Sequence, residues 1–121
     1  PEESMKTGTK ALAIFRALRE RRAEGDILLH IAQLFLDKGD DEEALKHFEQ
    51  SAVAKRVVKD VGGAATALQG AAKALSSLGD SQNKRGDKDK AAITYRRALP
   101  LYQSAGDKRG AADLMNRLDR I

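Results

Sequence analysis

His30 and His47 are the only two histidines in the chain, and they are the first residues to weigh for chemistry. Imidazole nitrogens bind borderline metals, and two of them with a carboxylate such as Glu43 would make a compact ligand set. Helical spacing puts them on neighbouring antiparallel helices, where they could approach one another. Two histidines that pack or face water fit the same sequence, and that reading is the stronger one. The chain has no cysteine, which removes thiol catalysis, disulfides and cysteine-bound zinc together. It has no His-Glu-x-x-His, no Gly-x-x-x-x-Gly-Lys-Ser/Thr and no Gly-x-Ser-x-Gly. The expectation is a protein that is not an enzyme, with no catalytic residues, no cofactor and no metal.

Basic side chains offer a second chemistry. Arg16, Arg19, Arg21 and Arg22 cluster in one stretch, and Lys84, Arg85, Lys88, Lys90, Arg96 and Arg97 in another. Such groups can track a phosphate backbone, and a pI near 9.5 fits that idea. Glu20, Glu24, Asp26, Asp87 and Asp89 lie among them, however, and two Tyr, three Phe and no Trp leave little for bases to stack on. A solvated mixed-charge helix surface is the better reading, so nucleic acid is disfavoured as a partner.

Whatever the surface does must be positioned by helices. The chain's 121 residues are one domain's length, and 22 Lys or Arg against 18 Asp or Glu leave a net charge of only +4. Its 20 Ala and 14 Leu outweigh 4 Val, 5 Ile and 4 Thr, a balance that favours helix over strand. Gly-Asp pairs recur at 25–26, 39–40, 79–80, 86–87 and 106–107. Glycine can end a helix in the left-handed conformation and the following aspartate can cap the next, so each pair predicts a tight turn. Between them the apolar spacing is helical, as in Leu28, Ile31, Ala32 and Phe35, then Ala44, Leu45, Phe48 and Ala52. The expected helices cover about 9–23, 24–38, 41–58, 62–79, 88–105 and 108–120, with neighbours antiparallel.

Two kinds of helix alternate in this reading. The second kind carries a small residue and an aromatic four positions later, at Ala11/Phe15, Ala44/Phe48 and Ala91/Tyr95. Ala11 to Ala44 spans 33 positions and Ala44 to Ala91 spans 47, which suggests extra length near 81–87, compatible with a loop or a helix extension. Pro100 is expected to bend its helix by removing the bond to the Arg96 carbonyl.

The segment Ile31-Ala32, Phe35, Gly39-Asp40, Ala44, Phe48 resembles a tetratricopeptide repeat, a helix-turn-helix unit of about 34 residues. Lys59-Asp60-Val61-Gly62-Gly63 through Leu78-Gly79-Asp80 is similar to the longer variant of that repeat, and Asp107-Lys108-Arg109-Gly110-Ala111-Ala112 restarts it. The early tryptophan and the closing proline often found in such repeats are missing. The resemblance implies an all-α antiparallel helix-hairpin solenoid of about six helices over 1–121, wound as a right-handed superhelix. It also implies a non-catalytic protein-protein interaction scaffold whose first-kind helices line a concave groove for a peptide or helix of a partner protein. Carried onto this chain, that groove presents Leu29, Gln33 and Asp37, then Gln69, Lys73 and Ser77, then Asp113, Asn116 and Arg120. The places of the carboxylate clamp of related cochaperones hold Leu29, Gln33, Gly70 and Asp113, with only Arg117 fitting, so that clamp is not expected.

The alternative is a self-assembly module whose terminal helices pair between copies, giving a homo-oligomer. Met5, Leu12, Ile14, Phe15 and Leu18 leave the first helix poorly capped, which fits either that or a segment of a longer array. No apolar run nears the roughly 20 residues that span a bilayer, and Pro1-Glu2-Glu3-Ser4 is unlike a signal peptide. No membrane partner and an intracellular, cytoplasmic location are therefore expected.

Overall fold

A computed structural model describes residues 20–121, and its described residues form five helices with no strand. They are α1 (Arg21–Asp37), α2 (Asp41–Val57), α3 (Val61–Lys84), α4 (Lys88–Ser104) and α5 (Lys108–Asp119). Each helix packs on the next, and α1 also touches α3. The all-α repeat architecture expected from the sequence is what forms. The helix expected at about 9–23 falls outside the described residues up to position 19, and positions 21–23 belong to α1.

Four turns of one design join the helices. In each, a residue with positive φ follows the last helical turn: Gly39, Lys59, Gly86 and Gly106. The next residue is always aspartate, and its amide bonds back to a carbonyl five residues earlier, as in Asp40 to Phe35 (2.9 Å) and Asp107 to Tyr102 (2.9 Å). That bond satisfies a carbonyl the helix end would leave orphaned. Asp60 and Asp107 then accept the amides of Gly63 and Gly110 at 2.9 and 2.8 Å, capping α3 and α5.

Gly25-Asp26 and Gly79-Asp80 are not turns, contrary to the sequence reading: both lie inside helices. The reason is that glycine serves a second purpose. A Cβ on Gly79 would sit 2.5 Å from the Tyr95 ring, and one on Gly70 would sit 2.3 Å from Phe48. At Gly25 the carbonyl accepts the Ser51 hydroxyl at 2.6 Å, a contact that requires the two backbones to be close. These glycines are sockets, and the expected break at 79–80 becomes continuous helix to Lys84. The last turn of α3 and the Gly86-Asp87 turn thus take up the polar stretch 81–87. α4 continues through Pro100 to Ser104.

The core is built from alanines and a few large side chains. Phe48 meets Ala32, Ala44, Ala71 and Ala74, and Tyr95 with Tyr102 meets Ala72, Leu75, Ala91, Ala98 and Leu114. Asp40 and Asp87, Ala44 and Ala91, Phe48 and Tyr95, and Asp60 and Asp107 are each 47 positions apart. The same hairpin therefore occurs twice, with an aromatic knob at the same place.

Candidate functional site

α1 touches α3, and side chains of α3 line one cleft with α1 and another with α5, so the three helices share a surface. Two clefts open there. The first, about 380 Å³, is lined by Asp26, Leu29, His30 and Gln33 of α1, Thr66, Gln69, Gly70 and Lys73 of α3, and Phe48. The second, about 840 Å³, lies between α3 and α5 and is lined by Gln69, Lys73, Ser76, Ser77, Asp80, Tyr102, Asp107, Arg109, Gly110, Asp113 and Arg117. Gln69 and Lys73 belong to both.

Of the nine groove residues expected from the sequence, Leu29, Gln33, Gln69 and Lys73 meet in the first cleft, and Gln69, Lys73, Ser77 and Asp113 in the second. Asp37, Asn116 and Arg120 line neither. Asp37 accepts the Gln33 amide at 2.9 Å, and Arg120 is the C-cap of α5. The two amides expected to read a peptide backbone each spend one donor inside the chain: Gln33 on Asp37, and Gln69 on Asp107 at 2.7 Å. Each keeps a carbonyl oxygen and a second N–H.

Counting from the wrong glycine hid two cleft residues. The Gly86-Asp87 turn is the counterpart of Gly39-Asp40, so Leu29 and Gln33 correspond to Ser76 and Asp80, which line the second cleft. The 47-residue spacing of Phe48 and Tyr95 was the available signal. Asp80 is the hub of that wall. It accepts the Tyr95 hydroxyl and, through its other oxygen, Arg117 at 2.9 Å, while Arg117 also meets Asp113 at 3.4 Å. Burial, with the bond to Asp80 adding to it, pushes the Tyr95 hydroxyl up to about 12, so it remains a donor at neutral pH.

Other charges are set by the packing. The Gly110 amide, with Gln69 second, holds the Asp107 carboxyl below its usual range, and the Gly63 amide does the same to Asp60. Asp41 goes the other way: burial raises it against the opposing bond from Ser77, and its Oδ1 has no partner. Lys55, whose side chain is 4% exposed, is held by Asp26 and lies 3.7 Å from Asp60. His47 faces Glu43's backbone carbonyl at 2.8 Å and stacks against Phe35 at 5.1 Å, so it is a packing residue, while His30 is exposed on the first cleft. Among the described residues no group of three His, Asp or Glu is arranged to hold a metal ion.

A further opening of about 780 Å³ lies on the outer side of α2, between Leu28, Leu45 and Val53, with Glu42, Glu49 and Arg97 at its edge. No described helix is long and apolar enough to cross a membrane.

Comparison with curated proteins finds no match. Two sequence models of the tetratricopeptide repeat do match: one over 27–61, spanning α1, α2 and the turn into α3, and one over 73–99, spanning the second half of α3 and most of α4. Each match contains a Gly-Asp turn, at 39–40 and 86–87, which is the hairpin the structure repeats. With two hairpins matched in order and the all-α stack they form, the chain belongs to the tetratricopeptide repeat family.

Proposed function

We propose that this chain is a non-catalytic scaffold that holds a peptide or a helix of another protein along the face shared by α1, α3 and α5. Tetratricopeptide repeats generally mediate protein-protein interaction. The observation that carries the finer reading is that two clefts on this face share Gln69 and Lys73, so one elongated ligand can lie across both. Both clefts exist before any ligand arrives, so the ordering cost of binding falls mainly on the ligand. The walls offer donors and acceptors at intervals, which suits a peptide backbone better than a small molecule.

Selection of a random dodecapeptide display library on the full chain tests this. Peptides should be recovered whose binding is lost on Gln33→Trp or Asp113→Trp, two exposed positions on the groove, and kept on Gln50→Trp beside the outer opening. Recovery of peptides sensitive only to Gln50→Trp, or of none, would overturn the reading.

Self-assembly is favoured by a separate observation. Ile27 and Leu34, seven residues apart on α1, are 57% and 48% exposed and form an apolar stripe on a helix with no described neighbour on that side. Phe15 and Leu12, the positions where the sequence placed an assembly contact, lie outside the described residues.

A further inference from the structure

Four aspartates and three cations, Lys73, Arg109 and Arg117, line the two clefts, and they are unevenly paired. Asp26, Asp80, Asp107 and Asp113 line the two clefts, and each already meets a donor of the chain: Lys55, Tyr95 with Arg117, Gly110 with Gln69, and Arg117. Lys73 and Arg109 line the second cleft, both exposed, and among the described residues neither has a carboxylate within ion-pair distance. They come from α3 and α5 and share the cleft with Asp107, whose two oxygens are taken by Gln69 and the Gly110 amide. Both cations act on that carboxylate from beyond bonding distance. A carboxylate supplied by a ligand would find a planar guanidinium and an ammonium that are not ion-paired, and would compete for them only with the more distant Asp107.

We infer that the groove is selective for an acidic segment of a partner protein, with an Asp or Glu side chain of that segment seated between Lys73 and Arg109. The inference rests on the groove reading above. A side chain fits better than a chain terminus because Lys73 lines both clefts, so the ligand's path continues past it in the direction of Leu29 and Gln33. Asp26 is ion-paired to Lys55, and Asp80 and Asp113 to Arg117, so Asp107, held only by neutral donors, is among the described residues the one unpaired cleft carboxylate that such a ligand meets. The first cleft, with Leu29 and Phe48 on its wall, would take an apolar side chain of the same segment a few residues away.

The peptide pools selected on the full chain provide the test. They should be enriched in Asp or Glu at one position, and the best peptide should be made with both ends blocked, so that it carries no terminal carboxylate. In fluorescence anisotropy its affinity should fall roughly five-fold on Lys73→Gln and again on Arg109→Gln, and by a similar factor when its acidic residue is changed to the amide. Lys90→Gln, exposed outside the groove, should leave it unchanged, and Lys73→Glu should favour the lysine version of the peptide. Circular dichroism of each variant checks that the helices persist. Pools that depend on Gln33 and Asp113 but show no acidic preference would overturn the charge selectivity and leave the groove standing. Acidic peptides that bind only with a free C-terminus would overturn the side-chain assignment, and pools insensitive to every groove substitution would remove both readings.

Discussion

Asp60 and Asp107 aim their carboxylates at the free amides of the helix each precedes, whereas Asp41, one residue past its own cap, turns its carboxylate into the packing of α2 on α3, against Ser77. The two situations have opposite pH signatures. For Asp60 and Asp107 the folded pKa lies below the unfolded one, so their stabilisation is present above the ordinary aspartate value and is lost as pH falls through the folded values. For Asp41 the folded pKa is raised, so the folded state carries a penalty that grows as pH rises from the ordinary value, 3.8, through the folded one. Asp41→Asn should therefore be more stable than the parent at neutral pH and converge with it in acid, where the parent carboxyl is protonated. Asp107→Asn should be less stable at neutral pH and lose less on acidification. Urea unfolding midpoints across that pH range check both, and an Asp41→Asn protein less stable than its parent at neutral pH would contradict the assignment.

At the scale of helices, the glycines decide where the chain turns and where it closes up. Gly70→Ala should cost about 1–3 kcal/mol, because the new methyl meets the Phe48 ring carbons at 2.3 to 2.7 Å and the ring is packed among Ala32, Ala44, Ala71 and Ala74. Gly62→Ala, with nothing within 4 Å and an ordinary φ, should instead stabilise α3 by about 0.5 kcal/mol. Phe48→Leu should recover part of the loss in the Gly70→Ala background but destabilise alone. Chemical denaturation of the four proteins tests the set. The same two uses of glycine explain which turns could be read in advance. Gly39-Asp40, Gly86-Asp87 and Gly106-Asp107 turn as expected, their glycines left-handed with no side chain packed on them. Gly25 and Gly79 carry the same local signal, but the side chains that need their flat surfaces, Lys55 and Tyr95, lie 30 and 16 positions further along. Lys59 makes the reverse case: it takes the left-handed turn position without being glycine, so the turn before α3 had no glycine to mark it.

At the scale of the molecule, the order of two alternating helix types was readable because it rests on composition and period, which every residue reports. The groove was readable only in part, since a face shared by α1, α3 and α5 depends on the register between helices. Gln33, Lys73 and Asp113 follow from helix order, but Ser76 and Asp80 required knowing that the 47-residue spacing, not Gly79-Asp80, aligns the hairpins. Lys55 illustrates the limit best, since a lysine in the last turn of a helix gives no sign that it is buried against Asp26. The assembly question also belongs here. If the exposed stripe of Ile27 and Leu34 joins copies, light scattering during size-exclusion chromatography should show a dimer that Ile27→Glu dissociates. If the groove is the working surface, the chain should stay monomeric from micromolar concentrations upward, with or without that substitution.

The most direct test of the groove is an amide nuclear magnetic resonance titration of the full chain with the best peptide from the display selection. Binding should shift resonances of Gln33, Gln69, Lys73, Ser77 and Asp113 together, on three helices far apart in sequence, and leave Glu42, Glu49 and Val53 on the outer side of α2 in place. Shifts confined to that outer side, or to Ile27 and Leu34 on the stripe of α1, would contradict the groove as the site of recognition.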